Sequence, residues 1–221
     1  EYLVTNSGFK ILEWIRGSQM TFVPDPNYNG PNKPYLEKVI HPFRNRSAQT
    51  VMAYENDEVD IESVDLNELE RIQRDPKLGK ELVRMGDPAT WYLFFRTQKP
   101  PFNDNRVREA FARAINREAI CRVLLRGAAV PAYSMLPPGF EDYDGSKYKA
   151  WQGFDPQRAK QLMREAGYPN GRGFPRQEIW LRAPGPVYRN VAIAIQGMIK
   201  EHLGIDLSIR AADDSAYMSA L

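Results

Sequence analysis

Trp91-Tyr92-Leu93-Phe94-Phe95-Arg96, followed by Gln98-Lys99-Pro100-Pro101-Phe102-Asn103-Asp104-Asn105-Arg106-Val107-Arg108-Glu109-Ala110-Phe111, is the stretch around which the chain organises. Its aromatic opening predicts a strand, Trp91 to Arg96. Side-chain alternation puts Trp91, Leu93 and Phe95 on one face and Thr90, Tyr92 and Phe94 on the other. Pro100-Pro101 ends that strand. Asp104 is placed to cap a helix. Val107, Ala110, Phe111, Ala114 and Ile115 then recur at helical spacing, as one apolar stripe. Two readings of the strand stand side by side. Either both faces are buried in a covered sheet, or the face with Tyr92 and Phe94 walls a cleft, where large amphipathic rings suit an organic or peptide ligand.

Downstream, Asn116 starts a helix carrying Ala119, Ile120, Val123 and Leu124, stopped by Gly127. A proline-rich loop follows. Asp155-Pro156 is a cap followed by proline at the first helical position. That helix buries Ala159, Leu162, Met163 and Ala166 and stops at Gly167. A strand at Ile179 to Leu181 leads to a helix from Val187 to His202, with Val191, Ile195, Met198 and Ile199 inward. Gly204 stops it, and Ile205 to Ile209 alternates as a strand. Upstream, Phe9 to Trp14 and Met20 to Val23 read as a hairpin around Arg16-Gly17-Ser18. A turn-rich loop runs from Pro24 to Pro34, and a strand occupies Leu36 to Phe43. Ser47 caps a helix through Tyr54, with Val51 and Tyr54 inward. Glu58 to Ile61 is a short strand, Asp65 caps a helix to Arg74, and Leu82 to Met85 is another strand. Strands and helices interleave, so the fold class is α/β, helices packed on mixed sheets. The change from strand-rich to helix-rich pattern places a lobe boundary near residues 96–102.

The 221 residues carry 30 Lys and Arg against 28 Asp and Glu, a net charge of +2. No basic excess of the kind a nucleic-acid domain shows is present. Cys121 is the single cysteine, so neither an internal disulfide nor a cysteine zinc cluster can form. His41 and His202 are far apart, and neither a His-rich metal site nor a Ser-His-Asp triad is expected; no cofactor is expected either. No apolar run reaches the roughly 20 residues of a membrane helix. The opening Glu1-Tyr2-Leu3-Val4 has no basic leader, and the chain is expected to be a mature product or an excised piece.

Several motifs carry candidate chemistry. In a strand, Glu58, Asp60 and Glu62 share one face with Asp57 nearby, a solvated face or a set of carboxylates for acid/base work or a hard cation. Gly167-Tyr168-Pro169-Asn170-Gly171-Arg172-Gly173 follows a helix rather than opening one, so it reads as a helix stop and connector. Cys121 has no histidine near it in sequence and reads as a buried structural thiol. Arg182-Ala183-Pro184-Gly185-Pro186-Val187-Tyr188-Arg189 enters a helix, whose free N–H groups could meet a ligand carboxylate beside Tyr188 and Arg189. Otherwise Arg189 is simply solvated.

Tyr92-Leu93-Phe94-Phe95, Gln98 to Phe111 and Ala114-Ile115-Asn116-Arg117-Glu118-Ala119-Ile120 together resemble the extracellular solute-binding proteins of family 5. These are the oligopeptide, dipeptide and nickel binding components of ABC importers. Pro137-Pro138-Gly139, Phe154-Asp155-Pro156-Gln157-Arg158-Ala159-Lys160-Gln161-Leu162, Glu165-Ala166-Gly167-Tyr168 and Leu203-Gly204-Ile205 continue the family's order. Ser7-Gly8-Phe9-Lys10, Asn27-Tyr28 and Glu58-Val59-Asp60-Ile61 fit it upstream. Each motif is weak alone and the ordered series is strong. Asn6-Ser7-Gly8-Phe9 lacks the family's usual proline, and Arg96 stands where the family often has Asn.

The resemblance implies a periplasmic-binding-protein type II-like fold, and this chain as a fragment of a two-lobe protein. Residues 1–96 would be part of lobe I, with a crossover strand at 89–96, and residues 97–221 part of lobe II, its C-terminal remainder missing. It implies a non-enzymatic binding component that captures a peptide, or a related small organic solute, in a cleft between lobes and delivers it to membrane permease subunits. The ligand contacts by position are Thr90, Tyr92 and Phe94, with Ser63 and Asp65 from lobe I and Tyr188 from lobe II. The parent is expected to be a monomer, periplasmic or extracellular, with or without a lipid anchor, and to bind no nucleic acid. Metal ligands are few, which disfavours nickel. The rival reading is a hydrolase or transferase using the acidic segment 57–62.

Overall fold

Gly17 takes a left-handed conformation (φ 74°), and the turn it occupies folds Phe9–Ile15 (β1) back on Gln19–Pro24 (β2). The computed structural model describes residues 7–44, 48–137, 140–182 and 185–220. The chain divides into two units, Glu1–Leu82 and Val83–Leu221, so the aromatic ribbon at 89–96 belongs to the second.

In the first unit, β1 and β2 pair antiparallel with an irregularity between Ile11 and Glu13. Val39–Pro42 (β3) adds to β2, with Thr21 opposite Ile40. β3 is shorter than the expected 36–43: the chain from Tyr35 to Lys38 joins no ladder. Ala48–Glu55 (α1), Leu66–Arg74 (α2) and Leu78–Glu81 (α3) follow. Asp65 caps α2 as expected, accepting from the Asn67 N–H at 2.8 Å. The expected cap Ser47 lies outside the described residues. Val51, Ile72 and Leu78 form a small core with Tyr54, Val64 and Leu82 against it. Arg71 of α2 ties it to α1 through Glu55 (2.8 Å) and pairs with Glu68 of its own helix (2.7 Å).

The second unit is built on Asn105–Ala114 (α4), whose Asp104 cap accepts from the Arg106 N–H at 2.8 Å. The stripe read from the sequence is the buried one: Val107, Ala110, Phe111 and Ala114 all face inward. Arg117–Ala119 (α5) follows. Lys149–Gln152 (α6) and Pro156–Glu165 (α7) come next, α7 capped by Asp155. Ala110, Ala114 and Ala159 leave α4 and α7 free to approach closely, and all three are fully buried. Gln177–Arg182 (β4), Pro186–Leu203 (α8) and Leu207–Ala212 (β5) form a β-α-β unit, β4 parallel to β5 with Ile179 opposite Ile209. Asp214–Ala220 (α9) packs on both strands. Phe95, Phe102 and Phe174 close around Phe111, at ring separations of 5.7, 5.2 and 5.7 Å.

Four expectations need correction. Glu58 to Ile61, Leu82 to Met85 and Trp91 to Arg96 form no strand among the described residues. A strand exists only with a neighbour to hydrogen-bond, and a local pattern cannot supply one. The helix after Asn116 makes one α-turn and then widens into a π-turn, Ile120–Leu124. The Leu125 N–H reaches back five residues to the Ile120 carbonyl at 2.9 Å. The wider turn upsets the helical spacing, so Ile120 is buried while Val123, expected inward, is 69% exposed.

Two turns meet backbone to backbone at Gly171 and Gly204. Gly204 ends α8 with φ 70°, and a Cβ there would lie 2.5 Å from the Asn170 carbonyl oxygen. The left-handed conformation alone costs a side-chain residue about 1–2 kcal/mol. Gly204→Ala therefore lowers stability by at least about that amount in urea unfolding; an unshifted midpoint would show that the two turns can part freely. Phe111→Ala is expected to cost about 3–5 kcal/mol by the same measurement, whereas Tyr92→Ala, on a side chain in solvent, changes stability by about 0.5 kcal/mol or less. Equal losses at both positions would place Tyr92 in the core.

Candidate functional site

The ribbon keeps a partial alternation without belonging to a sheet. Phe95 turns inward and stacks on Phe102 at 4.6 Å. Tyr92 and Phe94, two residues apart, share a side, their rings 6.2 Å apart, and both are exposed. Trp91 lies flat on Tyr188, 4.1 Å between centroids and 12° between planes. That stack fastens the ribbon to the first turn of α8. Thr90 carries a buried Oγ1 with no hydrogen-bond partner among the described residues, a group whose burial costs free energy until something accepts from it or donates to it.

Beside the ribbon runs a groove of about 620 Å³, bordered by residues 92–96 on one side and 177–180 of β4 on another. Buried Phe111, Ile179 and Leu207 reach its wall, so it opens directly onto the core, and Tyr217 of α9 lines it as well. Arg96 and Arg176 bring positive charge to it. Glu178 brings negative charge already engaged, by Arg210 at 3.7 Å and the Trp180 indole N–H at 3.1 Å. Arg210 also lies over the Trp180 ring at 4.6 Å.

Of the six expected contacts, Thr90, Tyr92, Phe94 and Tyr188 are brought into one neighbourhood of the second unit. Ser63 and Asp65 belong to the first unit. Ser63 is exposed, its N–H donating to the Glu62 carboxylate at 2.7 Å. Asp65 is occupied as the α2 cap. The sequence reading missed Trp91 as the partner of Tyr188, and Trp180 and Arg176 as groove residues. The aromatic at position 180 of an expected strand was a usable signal; for Arg176 there was none. Ala183 and Pro184, before the α8 start, lie outside the described residues, as do Asn6, Pro138 and Gly139.

The acidic segment does not assemble. Glu58 pairs with Arg44 at 3.3 Å, Glu62 is taken by the Ser63 N–H, and without a strand nothing aligns them. Among the described residues no three metal-type side chains converge. Cys121 is half-buried, and burial pushes its thiol up, away from the reactive thiolate.

A second titratable cluster ties the loop after the π-turn to the helices. The buried Tyr133 hydroxyl donates to the Glu118 carboxylate. Burial, then that bond, pushes Tyr133 up to about 12, and the same bond holds Glu118 below the usual carboxylate range. Arg117, its pKa lowered by burial, bonds the Ala112 and Gln152 carbonyls at 3.0 and 2.8 Å. These groups hold structure together and are not poised for proton transfer. A raised Tyr pKa stabilises the fold in full below the ordinary value of 10.0 and loses that contribution as pH climbs towards about 12. Urea melts should therefore show a stability gap between the natural chain and Tyr133→Phe that is constant up to pH 10 and narrows above it; a gap that stays flat to pH 12 would remove the cluster's role.

The second unit is thus an interleaved α/β unit bearing an aromatic ribbon and an open groove. The chain belongs to the bacterial extracellular solute-binding proteins, family 5 Middle, whose family model matches residues 1–220. It is 29% identical over 218 residues to a putative ABC transporter peptide-binding protein of Brucella ovis, covering 96% of this chain and 39% of that one. Its identity to the periplasmic oligopeptide-binding protein OppA of Salmonella typhimurium is 28%, over 98% of this chain and 40% of the relative. Among solved structures, a periplasmic oligopeptide-binding protein of Borrelia burgdorferi superposes with a TM-score of 0.75 at 23% identity, over 99% of this chain and 42% of that chain. This superposition establishes the periplasmic-binding-protein type II fold expected above. The chain spans less than half the length of the curated relatives it matches.

Proposed function

We propose that the chain is part of the substrate-binding component of an ABC importer, which captures a peptide or a related small organic solute and delivers it to membrane permease subunits. The observation that carries this reading is the family match over nearly the whole chain. The relatives' names support it and set its range: peptides for the Brucella and Salmonella proteins, deoxycholate for a probable periplasmic binding protein of Escherichia coli 26% identical over 223 residues. The component works in the periplasm or outside the cell, as a monomer, and catalyses nothing. In the whole protein two lobes hold the ligand in a cleft between them, residues 1–96 contributing to lobe I, with 89–96 crossing to the other lobe, and 97–221 to lobe II. Thr90, Tyr92, Phe94 and Tyr188 are the contacts from this neighbourhood, and Ser63 and Asp65 those from lobe I. The ribbon suits such a ligand because its rings are exposed, stiff and amphipathic, and its unused peptide groups can hydrogen-bond an extended main chain. The acidic segment 57–62 gives the hydrolase or transferase reading no support.

Native mass spectrometry of the intact protein, purified without refolding, identifies the co-purified ligand, and calorimetry then compares variants with it. Tyr92→Ala is expected to weaken binding roughly tenfold, about 1.4 kcal/mol, with no turnover in any form. The 221-residue chain alone is expected to bind the same peptide far more weakly than the intact protein. Unchanged affinity in Tyr92→Ala would refute the contact assignment, and sub-micromolar affinity of the isolated chain would refute a cleft that needs both lobes.

A further inference from the structure

Three places in the sequence put glycine directly after asparagine or aspartate: Asn29-Gly30, Asp144-Gly145 and Asn170-Gly171. Each has the makings of one side reaction, in which the glycine nitrogen attacks the preceding side-chain carbonyl carbon and closes a five-membered ring. Glycine favours the closure because no Cβ obstructs the twisted backbone. In a folded chain the outcome depends on whether that nitrogen and that carbonyl are already engaged, since an engaged group must first be released by local opening.

The three pairs are held differently. Gly171 donates its N–H to the Tyr168 carbonyl at 3.1 Å, within the single turn Pro169–Gly171. It also sits so close to Gly204 that a Cβ on it would lie 2.5 Å from the Gly204 carbonyl oxygen. The attacking nitrogen of this pair is bonded and its backbone is wedged. Asp144 is locked on its side chain instead. Its Oδ1 accepts from the Ser146 hydroxyl at 2.6 Å, the Ser146 N–H at 2.9 Å and the Lys147 N–H at 3.1 Å. Those bonds hold the carboxyl below the usual carboxylate range, and an ionised carboxylate resists a nucleophile. Asn29-Gly30 has neither lock. Its turn is fastened upstream, where Asp25 accepts from the N–H groups of Asn27 (3.0 Å) and Tyr28 (3.1 Å). From residue 29 to residue 35 no backbone N–H donates a hydrogen bond among the described residues. The Tyr28 hydroxyl crowds the place a Gly30 Cβ would take, but makes no bond to the Gly30 N–H. The Asn29 side chain is exposed and makes no hydrogen bond among the described residues.

We propose that Asn29 is a site of spontaneous deamidation, whereas Asn170 and Asp144 are kept unreactive by their turns. The Gly30 nitrogen gives up its proton and bonds to the Asn29 Cγ. The Cγ–Nδ2 bond breaks, and the side-chain nitrogen leaves as ammonia with that proton. Water then opens the ring. Opened at Cγ it leaves aspartate; opened at the main-chain carbonyl carbon it leaves isoaspartate, whose main chain runs through an extra methylene. Water is the only co-reactant and nothing is oxidised. Either product adds a negative charge to the loop between β2 and β3, near Lys33, whose ammonium bonds the Tyr28 carbonyl. The inference goes beyond the binding reading and stands without it.

The test incubates the intact protein in mildly alkaline buffer, digests it in acid, and maps asparagine, aspartate and isoaspartate at the three pairs by mass spectrometry. Asn29 is expected to convert at least about tenfold faster than Asn170, with isoaspartate accumulating first at position 29. In urea the two asparagines should convert at similar rates. Asn29→Gln, which would have to close a larger ring, should leave that peptide unconverted. Equal rates at Asn29 and Asn170 in the folded protein would overturn the proposal. So would a difference that persists in urea, because neighbouring sequence and not the turns would then set it. No ligand enters these measurements, so this proposal and the binding reading fail separately.

Discussion

The packing of Phe111 among Phe95, Phe102 and Phe174 is the contact on which the second unit depends. It joins four pieces of chain that no hydrogen-bond ladder connects: the end of the ribbon, the segment before α4, α4 itself, and the approach to β4. Ring pairs add specific geometry to the burial of large apolar area. Because Phe95 is fixed there, the residues before it must run outward from the core. The exposure of Tyr92 and Phe94 is thus a consequence of where Phe95 goes.

The Trp91–Tyr188 stack fastens the other end of the ribbon. Between these two anchors the backbone is held by side chains, and across residues 91–96 no backbone N–H donates a hydrogen bond within the described structure, while the Arg96 carbonyl accepts from the Lys99 N–H at 3.2 Å. That is an unusual state for six consecutive residues rich in aromatics, since such sequences normally satisfy their backbone in a sheet. The ribbon is therefore placed in space by packing, with its backbone N–H groups left open among the described residues.

The sequence was most informative where structure is local. Asp65, Asp104 and Asp155 each cap the helix they were expected to cap, because a capping carboxylate accepts from an N–H only two or three residues further on and needs nothing distant to act. Gly204 and the stripe of α4 were legible for the same reason. The failures are of two kinds. Residues 58–61 and 91–96 have strand patterns, but pairing depends on chain remote in sequence, which no window reveals. The π-turn after Ala119 has helical composition, and only the backbone shows that Leu125 reaches back five residues. Around the ribbon, Tyr92, Phe94 and Tyr188 were singled out by aromatic patterning and a helix start, whereas Trp180 and Arg176 join the groove only through the β-α-β crossover.

The two arginines along the groove have a further consequence. An open strand edge with an apolar flank is a template for stray pairing, and a second copy of this chain would offer the identical edge. Arg176 stands just before β4 and Arg96 at the end of the ribbon, so two cations flank the groove, and charged side chains at an open edge discourage edge-to-edge pairing.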